Sequence, residues 1–245
     1  MRKSREIALL CLLTLLIPSG ASSQGAREPS VFDLIRAGSM EMLQTRLRQT
    51  PAVVSETSPE GLTPLMYAAY LERAEMVNFL RRNKSSLSFF EACIVGDVAT
   101  LRAALNRGQS VNLRSPDGFT PVGLAAFFRQ QEIVRMLADA GADINAKSTN
   151  TQQVGPLHAA VARSDLSIIQ LLLLRGADPN LPQQNLVRPL HDAAASGNVP
   201  AVAMLLMFGA DAKAKTEDGR TAADLARIKG HADLAARLTI WPANP

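Results

Sequence analysis

Residues 176–194 read GADPNLPQQNLVRPLHDAA, and other stretches of the chain repeat the same order of residue types. A glycine is followed by Ala-Asp, then by a polar segment, and then by a Pro-Leu-His opening with small residues behind it. A close copy occupies 141–160, and a looser copy occupies 209–226. Recurrence of this kind predicts a chain built from stacked structural repeats.

The recurrence extends over most of the chain. When each copy is aligned on the residue before its proline position, the seven copies begin at 29, 63, 87, 120, 155, 188 and 221. The intervals are 34, 24, 33, 35, 33 and 33 residues, so the third copy follows the second too closely to leave room for a projecting hairpin. We therefore divide the chain into a leader at 1–23, a short linker at 24–28, a repeat array at 29–240 and a tail at 241–245.

Each copy predicts two short helices and a turn. Threonine caps and proline in the first turn open the first helix at Thr63-Pro64 and Thr120-Pro121. Apolar residues at helical spacing predict a second helix. Glycines able to adopt positive φ follow the second helices at Gly108, Gly141, Gly176 and Gly209. Acidic-glycine pairs predict a tight turn between copies at Glu60-Gly61, Asp117-Gly118 and Asp218-Gly219.

These residues resemble the ankyrin repeat, with its Thr-Pro-Leu-His opening, leucine-rich second helix and Gly-Ala-Asp-Val-Asn ending. The resemblance implies an all-α solenoid of helix-turn-helix units with β-turn or hairpin fingers. It also implies a non-enzymatic scaffold that binds a protein partner on its concave groove and fingertips, as an expected monomer and without a cofactor. His158 and His191 then serve as hydrogen-bonding links between adjacent turns.

The N-terminus has the layout of a secretory signal peptide. A basic start precedes an apolar run at 7–17, and small residues follow, so cleavage is expected after Ala21 or Ser23. An uncleaved membrane anchor is the alternative, but eleven helical residues cover only about 17 Å of a hydrocarbon core of about 30 Å. We therefore expect a periplasmic or secreted protein without membrane insertion once the leader is removed.

Composition narrows the classes of function further. Of the 245 residues, 47% are hydrophobic and 20% are charged. This hydrophobic content is sufficient to form a packed core. The net charge of +4 becomes about +2 without the leader, and the longest basic run is Arg81-Arg82. Because nucleic-acid binding needs a clustered basic face, no such partner is expected.

Candidate chemistry is sparse. Cys93 is the sole cysteine after the leader, so an internal disulfide is not expected, and it occupies a small-residue position where burial is predicted. No metal site and no catalytic group are predicted. Two alternatives to the scaffold stay open: a hydrolase or toxin that uses Cys93 or a histidine, and an accessory protein that shields or inhibits another exported protein.

A partner surface is predicted in the N-terminal half. Large apolar side chains follow the paired small residues there, below a gap in the row of fingers, and could serve as interface anchors. The alternative is that they pack between repeats. The side chains proposed to contact a partner are Tyr67, Tyr70, Ile94, Val95, Phe127, Phe128 and Arg163, together with Asn150 and Gln152 in a longer polar fingertip.

Overall fold

A computed structural model describes residues 28–241. The predicted leader and the predicted tail beyond residue 241 lie outside the described residues. Between residues 28 and 241 the regular structure is entirely helical, with 14 α-helices in seven antiparallel pairs and two 3-10 helices. The prediction of an all-α solenoid is confirmed.

The first helix of each repeat has seven residues. These helices are α1 (Val31–Ala37), α3 (Pro64–Tyr70), α5 (Phe89–Val95), α7 (Pro121–Phe127), α9 (Pro156–Ala162), α11 (Pro189–Ala195) and α13 (Ala222–Ile228). The second helices are α2 (Met40–Gln49), α4 (Ala74–Arg82), α6 (Val98–Asn106), α8 (Gln131–Asp139), α10 (Leu166–Leu174), α12 (Val199–Met207) and α14 (Ala232–Ile240). The 3-10 helices are Pro51–Ser55 and Gln184–Leu186.

Two kinds of N-terminal cap recur among the first helices. Thr63 and Thr120 each accept a hydrogen bond from the third backbone N–H of the helix, with proline in the first turn. The first, third and seventh repeats lack that proline and use a reciprocal capping box instead, as Ser88 does with Glu91. The first and third repeats therefore start at Ser30 and Ser88, one residue later than the alignment on proline positions predicts.

Small residues bring the first helices close together. The first helices of the second, fourth, fifth and sixth repeats each contain two adjacent alanines near their middle. Both alanines of each pair are buried, and neighbouring first helices pack across these positions. The second helices contribute buried leucines from their inward faces, and the whole set forms one continuous apolar core from Val31 to Leu238. Because each repeat buries its apolar face mainly against its neighbours, the array is stabilised chiefly through these interfaces.

The fingers are hairpin turns closed by a hydroxyl group. Ser58, Ser115, Ser148 and Thr216 each accept a hydrogen bond from the backbone N–H at the far side of their turn. Backbone bonds join successive fingers in the C-terminal half, and in one of them the N–H of Gln184 donates to the carbonyl of Gln152 at 3.0 Å. The fingers therefore form a connected row.

The third repeat has no finger, as its short interval predicts. The chain passes from Asn83 at the end of α4 to Ser88 at the start of α5 without a hairpin. The expected gap in the finger row is nevertheless wrong, because the fourth finger lies against the second. A methyl group placed on Gly61 would come within 2.7 Å of Cβ of Pro116. The two fingers thus meet across the position of the missing one.

The last repeat presents a polar outer face. Arg227 and Thr239 are exposed there, whereas the corresponding Ala194 and Leu206 of the sixth repeat are buried by the repeat that follows. Among the residues described, no helix has the length and apolar character needed to cross a membrane.

Candidate partner-binding face

The inner face is defined here as the surface formed by the first helices, the turns that follow them and the fingers. The predicted site residues all belong to these elements. Their burial and hydrogen bonds decide which of them can contact a partner and which of them hold the repeats together.

The two histidines of the Pro-Leu-His openings link repeats. His158 is 2% exposed, and its Nε2–H donates to the carbonyl of Val187 at 3.3 Å. His191 donates from Nε2 to the carbonyl of Ala214 at 3.1 Å and accepts at Nδ1 from the N–H of Arg188. Burial lowers the pKa of His158 to about 4 and also lowers the pKa of His191, so both rings are neutral at pH 7.

Cys93 is sealed in the core. Its side chain is fully buried on α5, and burial raises the pKa of the thiol to about 12. A protonated thiol without access to solvent is a poor nucleophile. In the described part of the chain, no group of three or more His, Cys, Asp or Glu side chains is placed to hold a metal ion.

Three of the predicted contact residues pack between repeats. Tyr67, Tyr70 and Ile94 are 2%, 4% and 2% exposed, so the prediction that they face a partner is wrong for the folded array. The hydroxyl of Tyr67 accepts hydrogen bonds from the guanidinium of Arg36 in the preceding repeat. These side chains are covered because their neighbours in the array reach over them, and spacing along one repeat does not reveal such contacts.

The other predicted residues of the N-terminal half are partly exposed. Val95, Phe127 and Phe128 are half-buried, and the two phenyl rings meet edge to face at 5.2 Å. The guanidinium of Arg163 lies over the ring of Phe127 at 5.1 Å, while Tyr70 touches Phe128 at 5.5 Å. The structure therefore assembles one aromatic cluster, consisting of Tyr70, Phe127 and Phe128, with Arg163 above it.

The polar fingertip of the fifth repeat belongs to the same face but lies within the finger row. Asn150 donates to the carbonyl of Asp117 in the preceding finger at 3.1 Å, and its side-chain oxygen accepts within its own turn. The backbone carbonyl of Gln152 accepts from the following finger, and its half-buried side chain makes no hydrogen bond to another described residue. Asn150 thus braces the fingers, and Gln152 is the better placed of the two to contact a partner.

An exposed leucine at the sixth fingertip escaped the sequence analysis. Leu186 is 52% exposed and has a φ of 56°, a backbone conformation that disfavours residues with a side chain. Glycine occupies the corresponding position in the five-residue turns of the second, fourth and seventh repeats, at Gly61, Gly118 and Gly219. Comparing the turns position by position would have revealed the substitution.

A row of exposed apolar side chains was also not predicted from the sequence. Leu174, Met207 and Ile240 are the last residues of α10, α12 and α14, and they are 65%, 81% and 81% exposed. The same position carries a polar residue in α4, α6 and α8. The row lies at the ends of the second helices, outside the inner face, and the predicted groove did not include it.

Sequence comparisons identify the family. Residues 11–148 and 157–243 match the profile described as ankyrin repeats (3 copies), and residues 124–173 match ankyrin repeats (many copies). These matches cover more than half of the chain, which belongs to the ankyrin repeat family. The family is generally non-enzymatic and its repeats serve protein–protein interaction.

Several larger proteins contain similar repeats. The ankyrin repeat, SAM and basic leucine zipper domain-containing protein 1 of Rhinolophus ferrumequinum is 35% identical over 124 residues, covering 48% of this chain and 26% of that protein. Its counterpart in Colobus guereza is 32% identical over 147 residues, or 58% and 30% of the two chains. The ankyrin repeat and SAM domain-containing protein 6 of Mus musculus is 26% identical over 68% of this chain and 20% of its own. The chain thus spans less than a third of the length of these relatives.

Proposed function

We propose that this chain is an exported scaffold that binds a protein partner through the fingers and the partly exposed side chains of its inner face. The observation that carries the proposal is the face itself, since seven repeats stack into one continuous surface of first helices and joined fingers. Cys93, His158 and His191 are buried and contribute to packing or to links between repeats. Membership of a family whose repeats serve protein–protein interaction supports the same function.

The sixth fingertip is the part of this face best suited to anchor a partner. Leu186 is a large apolar side chain held in solvent, and the exposed polar residues Gln184 and Asn185 precede it in the same turn. An apolar side chain surrounded by polar residues matches the general layout of protein interfaces, which have an apolar centre and a polar rim. The half-buried Gln152 of the fifth finger extends this surface.

Site-directed photo-crosslinking in the native host tests the binding site. A photoreactive benzoylphenylalanine in place of Leu186 is expected to give an adduct of one defined mass. The same probe in place of Arg135, which is exposed on α8 away from the inner face, serves as the matched control and should give none. An adduct from the Arg135 position alone would contradict the proposal.

Export is the second part of the proposed function, and it is supported by the basic start and the apolar run at 7–17. Fractionation of the host with mass measurement of the chain is expected to place the protein outside the cytoplasm, beginning near residue 22 or 24. A Leu12→Arg substitution should block both export and cleavage, because it charges the centre of the apolar run. Full-length chain in the cytoplasm of the unaltered host would contradict export and leave the binding proposal to be decided by crosslinking.

A further inference from the structure

The second repeat makes contacts that skip its neighbours. In a stacked solenoid each repeat is expected to touch only the repeats on either side. Here the hydroxyl of Tyr70, in the second repeat, donates to Oδ2 of Asp117 in the fourth finger at 2.5 Å. The guanidinium of Arg163, in the fifth repeat, pairs with Oε1 of Glu72 in the second repeat at 2.7 Å.

The pair between Glu72 and Arg163 requires a strongly curved array. Both residues lie in the turns that follow first helices, and three repeat steps separate them. Packed helices lie about 8–10 Å apart, so three steps along a straight stack would cover about 24–30 Å. That distance exceeds the combined length of the two side chains. The row of turns from the second to the fifth repeat must therefore bend sharply inward.

The short third repeat explains how this bend arises. It lacks a finger, and its turn is one residue shorter, since Gly96 takes the left-handed conformation directly after α5, whereas Leu71 separates α3 from the left-handed Glu72. The fourth finger occupies the space that a finger of the third repeat would fill, so Pro116 lies against Gly61. Asp117, the next residue of that finger, is thereby brought to Tyr70.

We propose that these contacts form a clasp that holds repeats two to five in a closed curve and covers the aromatic cluster. The clasp consists of the Glu72–Arg163 ion pair and the Tyr70–Asp117 hydrogen bond. Arg163 closes over Phe127 while it pairs with Glu72, so one side chain both shields the cluster and ties the ends of the curve. Opening the clasp exposes Tyr70, Phe127 and Phe128 as a single apolar surface.

The two parts of the clasp differ in how readily they release. The side chains of Arg163 and Glu72 are 22% and 45% exposed, so salt screens their attraction, and reversal of one charge turns that attraction into repulsion. Tyr70 is buried, and burial together with the adjacent Asp117 carboxylate raises the pKa of its phenol well above the ordinary value, which keeps the donor protonated. The ion pair is thus the part that yields first.

Distance measurement by electron paramagnetic resonance tests the clasp in the full chain. Spin labels replace Glu75 and Ser167, exposed residues at the same helical position in the second and fifth repeats, in a background with Cys11→Ser and Cys93→Ala. Glu72→Arg and Arg163→Glu are each expected to lengthen the mean label distance by about 5 Å or more, half the spacing of packed helices. The double swap Glu72→Arg with Arg163→Glu should restore the parental distance.

A neighbouring ion pair provides the matched control. Arg129 pairs with Asp165 at 3.1 Å between adjacent repeats, so Arg129→Glu breaks a similar surface pair without touching the clasp and should leave the label distance unchanged. Tyr70→Phe removes only the hydrogen bond and should lengthen the distance while far-ultraviolet circular dichroism stays constant. A parental distance in both single-reversal variants, or a folded double swap that stays open, would overturn the clasp. Neither result depends on a partner or on export.

Discussion

Leu186 has a backbone conformation that is sterically unfavourable for a residue with a side chain. A φ of 56° places its Cβ close to the following carbonyl, a conformation that costs about 1–2 kcal/mol for a residue with a side chain. The side chain is half in solvent, so burial offsets little of this cost. Strain that the fold does not require, at a position where other turns of the same array have glycine, is consistent with a role in contact.

Replacing this residue tests whether the strain is real. Leu186→Gly is expected to stabilise the array by about 1 kcal/mol, because glycine adopts positive φ without steric cost, although part of the gain is lost to the greater freedom of the unfolded chain. Urea unfolding followed by circular dichroism measures the difference. Leu186→Ala is the control that keeps the strain and removes the exposed side chain, and it should be close to neutral. A glycine variant less stable than the alanine variant would show that the turn is not strained.

At the scale of the element, a buried ion pair lies at the start of α5, where the third repeat lacks a finger. Glu91 is fully buried at the third position of the helix, where it accepts hydrogen bonds from Thr63 at 2.7 Å and from the N–H of Ser88 at 2.8 Å. Lys84, in the connection that lacks a hairpin, pairs with it at 2.8 Å and is itself nearly buried. The carboxylate therefore ties the second repeat, the connection and α5 together.

Removal of this carboxylate is expected to weaken the junction severely. Burial would raise the pKa of Glu91, but hydrogen bonds from Lys84, Ser88 and Thr63 and the charge of Lys84 outweigh it and hold the pKa below its ordinary value. Glu91→Gln leaves Lys84 charged and unpaired, at a cost of about 3–5 kcal/mol at neutral pH. Unfolding in urea measures this loss, and adding Lys84→Met should recover part of it.

The same pair predicts a direction with pH. Because the pKa of Glu91 is lower in the folded chain than in the unfolded chain, its contribution is present above the ordinary glutamate range and is lost as the pH falls through the folded value. The difference in stability between the parent and Glu91→Gln should therefore be widest near pH 7 and should narrow below pH 4. A difference that stays constant over this range would show that the charge of Glu91 is not what stabilises the junction.

At the scale of the whole molecule, the array is curved in its N-terminal half and exposes polar residues on the outer face of its seventh repeat. The clasp bends repeats two to five, whereas the C-terminal half continues with regular links between successive repeats through His158, His191 and the finger backbone. In the seventh repeat, Arg227 and Thr239 replace the small and apolar residues that inner repeats use to contact the next one. These two polar residues disfavour the stacking of a further copy on that face.

Converting that end face should cause association. Arg227→Ala with Thr239→Leu restores the residue types of an inner repeat, and the exposed apolar area then favours contact between chains. Sedimentation velocity is expected to show self-association that increases with concentration beyond that of the parent. Arg135→Ala on α8, an exposed arginine away from the end, is the control and should sediment as the parent does. A double variant indistinguishable from the parent would mean that polar residues are not what ends the array.

Much of the fold was predictable from the sequence. The number of repeats, the helix pairs, the positions of the turns and the missing third finger were all recovered, and the starts of two repeats differed by one residue. The burial of Cys93 followed from the same register, and the links made by His158 and His191 were implied by the resemblance to the ankyrin repeat. These features depend on short-range interactions, such as caps, proline in the first turn and glycine at positive φ, which each repeat carries within its own residues.

Only the tertiary structure decided which side chains of the inner face are open. Tyr70 is covered by a finger 47 residues away in the chain, and Glu72 meets Arg163 across 91 residues. These contacts follow from the curvature of the array, which accumulates small rotations from one repeat to the next and changes abruptly at a repeat without a finger. The periodic sequence determines the structure of each repeat, whereas the accumulated rotation between repeats determines which distant surfaces meet.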